Sequence, residues 1–155
     1  MANLDDAETR AWRAFLATHT QILPTLDAEL AREMGLNLSQ YEVLLWLNDA
    51  EDHSLRMSEL AAKVVLSPSG LTRAVDQLER RGLVERRVSD RDRRAYLASL
   101  TRAGKTQLRR ASNTHVRGIR EHFTGKLSER QLIQLASLLE QISAEVVVPP
   151  CDVAS

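Results

Sequence analysis

Arg91, Arg93 and Arg94 crowd a few residues of one another, interleaved with Asp90 and Asp92, between two strand-like runs at Val84 to Ser89 and Ala95 to Leu100. Arg86 and Arg87 crowd the same short polar turn. A pair such as Asp92 with Arg94 can fix such a turn while an unpaired guanidinium reaches outward, a shape that suits the narrow, electronegative minor groove of an A·T-rich duplex. A second group stands upstream. Ser69, Thr72, Arg73, Asp76, Gln77 and Arg80 fall on one side of a helical pattern that begins at Ser67 and Pro68 and whose other side is Leu71, Ala74, Val75 and Leu78. On such a helix Gln77 and Arg73 can make bidentate contacts to base edges, Thr72 and Pro68 can pack on thymine methyls, and Ser67 or Ser69 can bond phosphate at the positive helix end. Both groups point to duplex DNA.

Charge agrees with this reading although the chain is formally neutral. Residues 56 to 110 hold 14 Lys and Arg against 6 Asp and Glu, net +8, and the remainder holds 7 against 15, net −8. Only the basic part gains by releasing condensed counterions, so the asymmetry orients the molecule on DNA.

The elements that must position these groups read as helices around a hairpin. Asp5 with Glu8, Ser39 with Glu42 and Ser128 with Gln131 have the spacing of capping boxes, so helices are expected to start near residues 5, 39 and 128. The first should run to about Met34, kinked at Pro24, and the second should stop near Asp52. A short third helix over about 58 to 65 turns its Leu60, Ala61 and Val64 inward. Ser67 caps the fourth, Pro68 occupies its first turn and Gly82 ends it. After the hairpin, Thr101 caps a helix reaching about Phe123, and the last carries Leu132, Leu135, Leu138, Leu139, Ile142 and Val146. The fold class is therefore mainly α with a small β-hairpin, in the order α-α-α-α-β-β-α-α. It is a winged helix-turn-helix at 39–100 between long helices at 1–34 and 101–148, all within a single domain over 1–155. The outer helices carry more apolar surface than a small winged helix can cover, and a homodimer is expected to bury the excess.

The segment LRMSELAAKVVLSPSGLTRAVDQLERRGLVERRVSDRDRRAYLASLTRAG resembles the DNA-binding core of the MarR family of bacterial regulators. The similarity extends through YEVLLWL and the flanking helices, and its most specific pieces are SELA, SPSGLTRAVDQLERRGLVERR, and DRR followed by LTRAG. It implies a two-fold dimer on a pseudopalindromic operator, each fourth helix in a major groove and each wing in a minor groove. The family's wing motif of Asp, any residue, Arg falls on Asp92 and Arg94. It also implies a small phenolic or anionic effector between the dimerisation helices and the winged helix, releasing a repressor from its operator. The peroxide-sensing branch places a reactive cysteine near the first helix, and none stands there in this chain.

Trp12, Phe15 and His19 follow one another at helical steps and could meet Tyr41 or Trp46, giving an effector pocket aromatic walls and one titratable group. His115 and His122 are two helical turns apart, about 10 Å of rise, too far to share one ion, so no metal ligands are assigned. No glycine-rich phosphate loop, chelating cluster or nucleophile elbow is present, so neither an enzyme nor a cofactor is expected. The alternative is a winged helix that binds another protein without specific DNA binding. Cys151 stands alone and cannot form an internal disulfide. No run approaches a membrane span and the first residues are acidic, so a cytoplasmic protein is expected.

Overall fold

The computed structural model describes residues 3–64, 66–88 and 96–142. Helix α1 (Asp6–Met34) starts where Asp5 Oδ1 accepts the Ala7 and Glu8 amides at 2.8 and 2.9 Å and Glu8 Oε2 accepts the Asp5 amide at 2.7 Å, the reciprocal box anticipated. It continues through Pro24 and ends at Gly35, whose left-handed φ of 63° lets its own amide bond back to Ala31. Then follow α2 (Leu38–Asp49), strand β1 (Ser54–Arg56), α3 (Met57–Lys63) and α4 (Pro68–Arg80). Strands β2 (Val84–Val88) and β3 (Tyr96–Leu100) lead directly into α5 (Arg102–His122) and α6 (Glu129–Ile142).

Two expectations change at α2. Its cap is Asn37, with Asn37 Oδ1 accepting the Gln40 amide at 2.8 Å and Gln40 Oε1 accepting that of Asn37 at 3.1 Å, rather than Ser39 with Glu42. The helix also stops at Asp49, because Ala50 takes an extended backbone, and Asp52 and His53 take left-handed conformations in the turn that follows. That turn delivers β1, an element too short to show alternation in the sequence. The sheet is therefore antiparallel and three-stranded, ordered β1-β3-β2, with Ser54 opposite Ser99 and Arg86 opposite Ala98.

The core sits around α2, which is buried on nearly every side. Tyr41, Val43, Leu44 and Leu47 are at most 1% exposed and meet Leu30 and Leu36, Leu60, Val75 and Leu78, Val84 and Leu108. Two glycines permit close approaches between elements. A Cβ on Gly104 would stand 2.1 Å from the Leu83 carbonyl oxygen, and one on Gly118 would stand 2.6 Å from both Leu26 Cδ2 and Glu29 Oε2, so α5 lies directly on the α4–β2 turn and on α1. By contrast Trp12, Phe15 and Leu16 on α1 and Ile133, Leu138 and Ile142 on α6 remain exposed.

Candidate nucleic-acid interface

Helix α4 begins as its sequence requires. Ser67 Oγ accepts the Gly70 amide at 3.1 Å, and Pro68 takes a first-turn position where no donor is needed. Leu71, Ala74, Val75 and Leu78 are buried, leaving Ser67, Pro68, Ser69, Thr72 and Arg73 outside. The Ser67 hydroxyl also meets that of Ser69 at 3.2 Å, and Thr72 Oγ1 donates to the Pro68 carbonyl at 3.0 Å. Arg73 makes no side-chain hydrogen bond or ion pair among the described residues, so its guanidinium is free for a ligand.

Gln77 differs from this exposed group. It is half-buried, and its Oε1 accepts a 2.6 Å hydrogen bond from Nε2 of Gln40, itself only 6% exposed. A bidentate base contact needs the amide oxygen and nitrogen together, and here the oxygen is engaged by α2. The geometry gives Gln77 a share in holding α4 against α2, a pairing 37 residues apart that no local pattern signals.

Arg86 was grouped by sequence with the turn arginines, yet it lies on β2 with its guanidinium against α4. Its Nη1 is 2.5 Å from Asp76 Oδ1 and 2.9 Å from Glu79 Oε2, and its backbone amide donates to Glu79 Oε1 at 3.1 Å. Arg87 pairs with Glu85. The acidic side chains of α4 and β2 are thus neutralised internally, which keeps them from repelling phosphate beside Arg73. Lys63, which sequence reasoning did not single out, places its ammonium 4.4 Å from the centre of the Trp46 ring, at the C-terminal end of α3. Asp92, Arg91, Arg93 and Arg94 lie outside the described residues, as do Val146 and Cys151.

The aromatic residues divide into two places instead of one pocket. Trp12 and Phe15 stack at 5.9 Å and Phe15 and His19 at 6.4 Å along α1, with Trp12 54% exposed. Tyr41 and Trp46 are buried in the core, since α2 is enclosed on both faces. Tyr41 packs on His115 at 4.8 Å and donates to Ser112 Oγ at 3.1 Å. Burial holds the His115 imidazole below its ordinary pKa. An open groove between α1 and the start of α2 is lined by His19, Leu23, Pro24, Asp27, Leu38 and Ser39.

Along the α1–α5 contact, Arg117 Nη2 donates to both oxygens of Glu33 at 2.8 and 2.7 Å, and this bond holds the Glu33 carboxyl below its usual range. His122 Nε2 and Glu29 Oε1 lie 2.8 Å apart. With Glu121 they form the one set among the described residues that brings three ligand atoms within 4.8 Å, while His115 stands apart against the Tyr41 ring.

A helix presented by its exposed N-terminal half, braced by a preceding helix and a three-stranded sheet, defines a winged helix-turn-helix of the type that enters a DNA groove. A sequence model of the MarR family matches residues 34–95. The HTH-type transcriptional repressor YetL of Bacillus subtilis is 30% identical over 112 residues, 70% of this chain and 67% of that protein. Transcriptional repressor MprA of Escherichia coli is 38% identical over 81 residues, 52% of this chain, and the match spans about half (46%) of that relative's length. Among solved structures, the MarR family regulator AbsC of Streptomyces coelicolor superposes with a TM-score of 0.84 at 32% identity, covering 93% of this chain and 97% of that one. Sco3205, a MarR family transcriptional regulator from the same organism in complex with DNA, gives 0.83 at 30% identity over 95% and 98% of the two chains. This chain belongs to the MarR family of transcriptional regulators.

Proposed function

We propose that the protein is a sequence-specific DNA-binding regulator, a homodimeric repressor that binds a pseudopalindromic operator. The observation that carries this reading is the outer face of α4. Ser69, Thr72 and Arg73 are presented to solvent by a helix that Gln40, Arg86 and Leu71 hold from behind. Arg73 takes base edges or phosphate, Ser67 and Ser69 take phosphate at the helix start, and Thr72 and Pro68 pack on thymine methyls. Arg94, the arginine of the family's wing motif, is proposed to serve the minor groove, with Arg91 and Arg93 serving flanking phosphates. Gln77 serves chiefly to set the angle of α4. The second copy covers the exposed apolar residues of α1 and α6. The region 101–148 works with 1–34 as a dimerisation unit around the core at 39–100.

A small aromatic or anionic effector is proposed to bind in the groove between α1 and α2, where His19 supplies the titratable group and Trp12 and Phe15 extend the wall. Among the described residues no helix is long and apolar enough to cross a membrane.

Selection from a random duplex library tests the proposal. The expected product is a two-fold related pair of half-sites whose affinity falls steeply with salt, by a slope of about −0.9 for each phosphate neutralised. Recovery of unrelated sequences, or binding indifferent to salt, would leave the protein-binding winged helix as the better account.

A further inference from the structure

The C-terminal end of α4 is tied to the helices assigned above to dimerisation. Arg81, the residue that closes α4, donates from Nη1 to the Gly35 carbonyl at 2.5 Å and from Nη2 to that of Met34 at 3.3 Å. Those carbonyls are at the negative end of the α1 dipole, where a guanidinium is favoured and its fork can serve two acceptors together. Gln107 of α5 donates to the same Met34 carbonyl at 2.9 Å. One residue further on, the Thr101 hydroxyl that caps α5 donates to the Gly82 carbonyl at 2.7 Å, and the Thr101 amide donates to Leu83 at 3.1 Å. Residues 81–83 are therefore a junction that α1 reaches through Arg81 and α5 reaches through Thr101. Among the described residues, the hydrogen bonds between α4 with its capping residue and the α1 terminus are those of Arg81.

We infer that Arg81 is a positioning residue that fixes the angle of α4 relative to α1, and through it the separation of the two recognition helices in the dimer. The position suits this task better than a stabilising one. Arg81 is exposed, so when its side chain is removed water can reach the freed carbonyls, and the fold loses little. What is lost is a tether at the pivot of a helix whose other end must meet a groove. B-DNA turns about 34° per base pair, so a small tilt at the junction changes which half-site spacing the dimer accepts. Arg80, its neighbour, bonds only the backbone of its own helix, through Nε to the Asp76 carbonyl, and has no such role.

Distance measurement between two nitroxides in one chain tests the tether without DNA. In full-length protein with Cys151→Ser, labels at Ala28→Cys on α1 and Thr72→Cys on α4, diluted with unlabelled chain, report the angle between the helices. Arg81→Met is expected to broaden that distribution about twofold, as a freed element samples more orientations, while Arg81→Lys, which keeps one donor, falls between and Arg80→Met leaves the width unchanged. An unchanged width in Arg81→Met overturns the inference, and if that variant does not fold, Arg81→Lys decides by the same criterion. A second arm rests on the proposed dimeric regulator. Wild type should select one half-site spacing by about tenfold over its neighbours, and Arg81→Met should accept spacings one base pair either side within about threefold, with the half-site sequence unchanged. A retained spacing preference in Arg81→Met counts against the inference. Failure of the wild type to select any paired site counts against the dimeric regulator, and the distance measurement then decides the role of Arg81.

Discussion

Replacing Gly104 with alanine should damage the joint between the winged helix and α5. The added Cβ would lie 2.1 Å from the Leu83 carbonyl oxygen and 2.7 Å from Leu100 Cδ1. An ordinary carbon–oxygen contact is about 3.3 Å, so α5 or the Leu83 backbone must retreat by roughly 1.2 Å. Overpacking of this kind costs about 1–3 kcal/mol. The retreat also stretches the Thr101 bonds to Gly82 and Leu83, worth about 1 kcal/mol together once water competes for the same groups. Against this, alanine is favoured over glycine in a helix by at most about 1 kcal/mol, and by less in the first turn where Gly104 stands. The clash wins, because its nearest atom is backbone and cannot rotate away. The net loss should be about 2 kcal/mol, lowering the melting temperature by roughly 4–8 °C for a chain of this size. Calorimetry on wild type and Gly104→Ala decides the matter. A variant that melts at or above the wild-type temperature would show that this contact is looser than described and that helix propensity governs the site.

Arg73→Ala should weaken operator binding by about 1–3 kcal/mol and reduce the salt slope by about one phosphate, read by fluorescence anisotropy of labelled duplex; an unchanged affinity removes Arg73 from the interface. Arg94→Ala should cost a similar amount, mainly on sites with A·T-rich flanks, and equal losses on operator and random DNA would contradict a minor-groove role. Truncation after Lys126 removes Ile133, Leu138 and Ile142 and should give a monomeric or unstable protein by sedimentation, whereas a stable truncated dimer would place the interface elsewhere. Stability should fall in two acid windows. The His115 imidazole, held neutral by burial, takes a proton more readily when unfolded, so stability drops as pH falls below about 6.5. Glu33, whose carboxyl Arg117 holds low, contributes above the usual carboxylate range, and this is lost as pH falls below about 4.5. Denaturant midpoints of His115→Gln and Glu33→Gln across pH should each flatten their own window.

What was legible in the sequence is what local chemistry decides. The caps at Asp5, Ser67 and Thr101 satisfy amides two or three residues away, and all three side chains accept those bonds. The apolar stripe of α4 was visible for the same reason. At α2 two candidate boxes compete, and burial of Gln40 beneath α4 favours Asn37, a fact no window of four residues contains. The aromatic ladder of α1 follows from spacing alone, but the placing of Tyr41 and Trp46 required knowing that α2 is enclosed on nearly every side. Arg86 and Arg81 were beyond reach for a related reason. Their partners, Asp76 and Glu79 for one and Met34 and Gly35 for the other, are chosen by how elements pack, and an arginine in a basic run looks the same whether it faces phosphate or its own fold.

The two tryptophans provide separate optical gauges. Trp12, half exposed on the apolar side of α1, should emit at long wavelength and be readily quenched by acrylamide, while Trp46, 3% exposed beneath Lys63, should emit at short wavelength and resist quenching. Covering α1 would therefore shift the red component alone, and opening the core would expose the blue one. Lifetime-resolved quenching can thus follow assembly and unfolding of this chain as distinct events in one cuvette, with no label introduced and no residue changed.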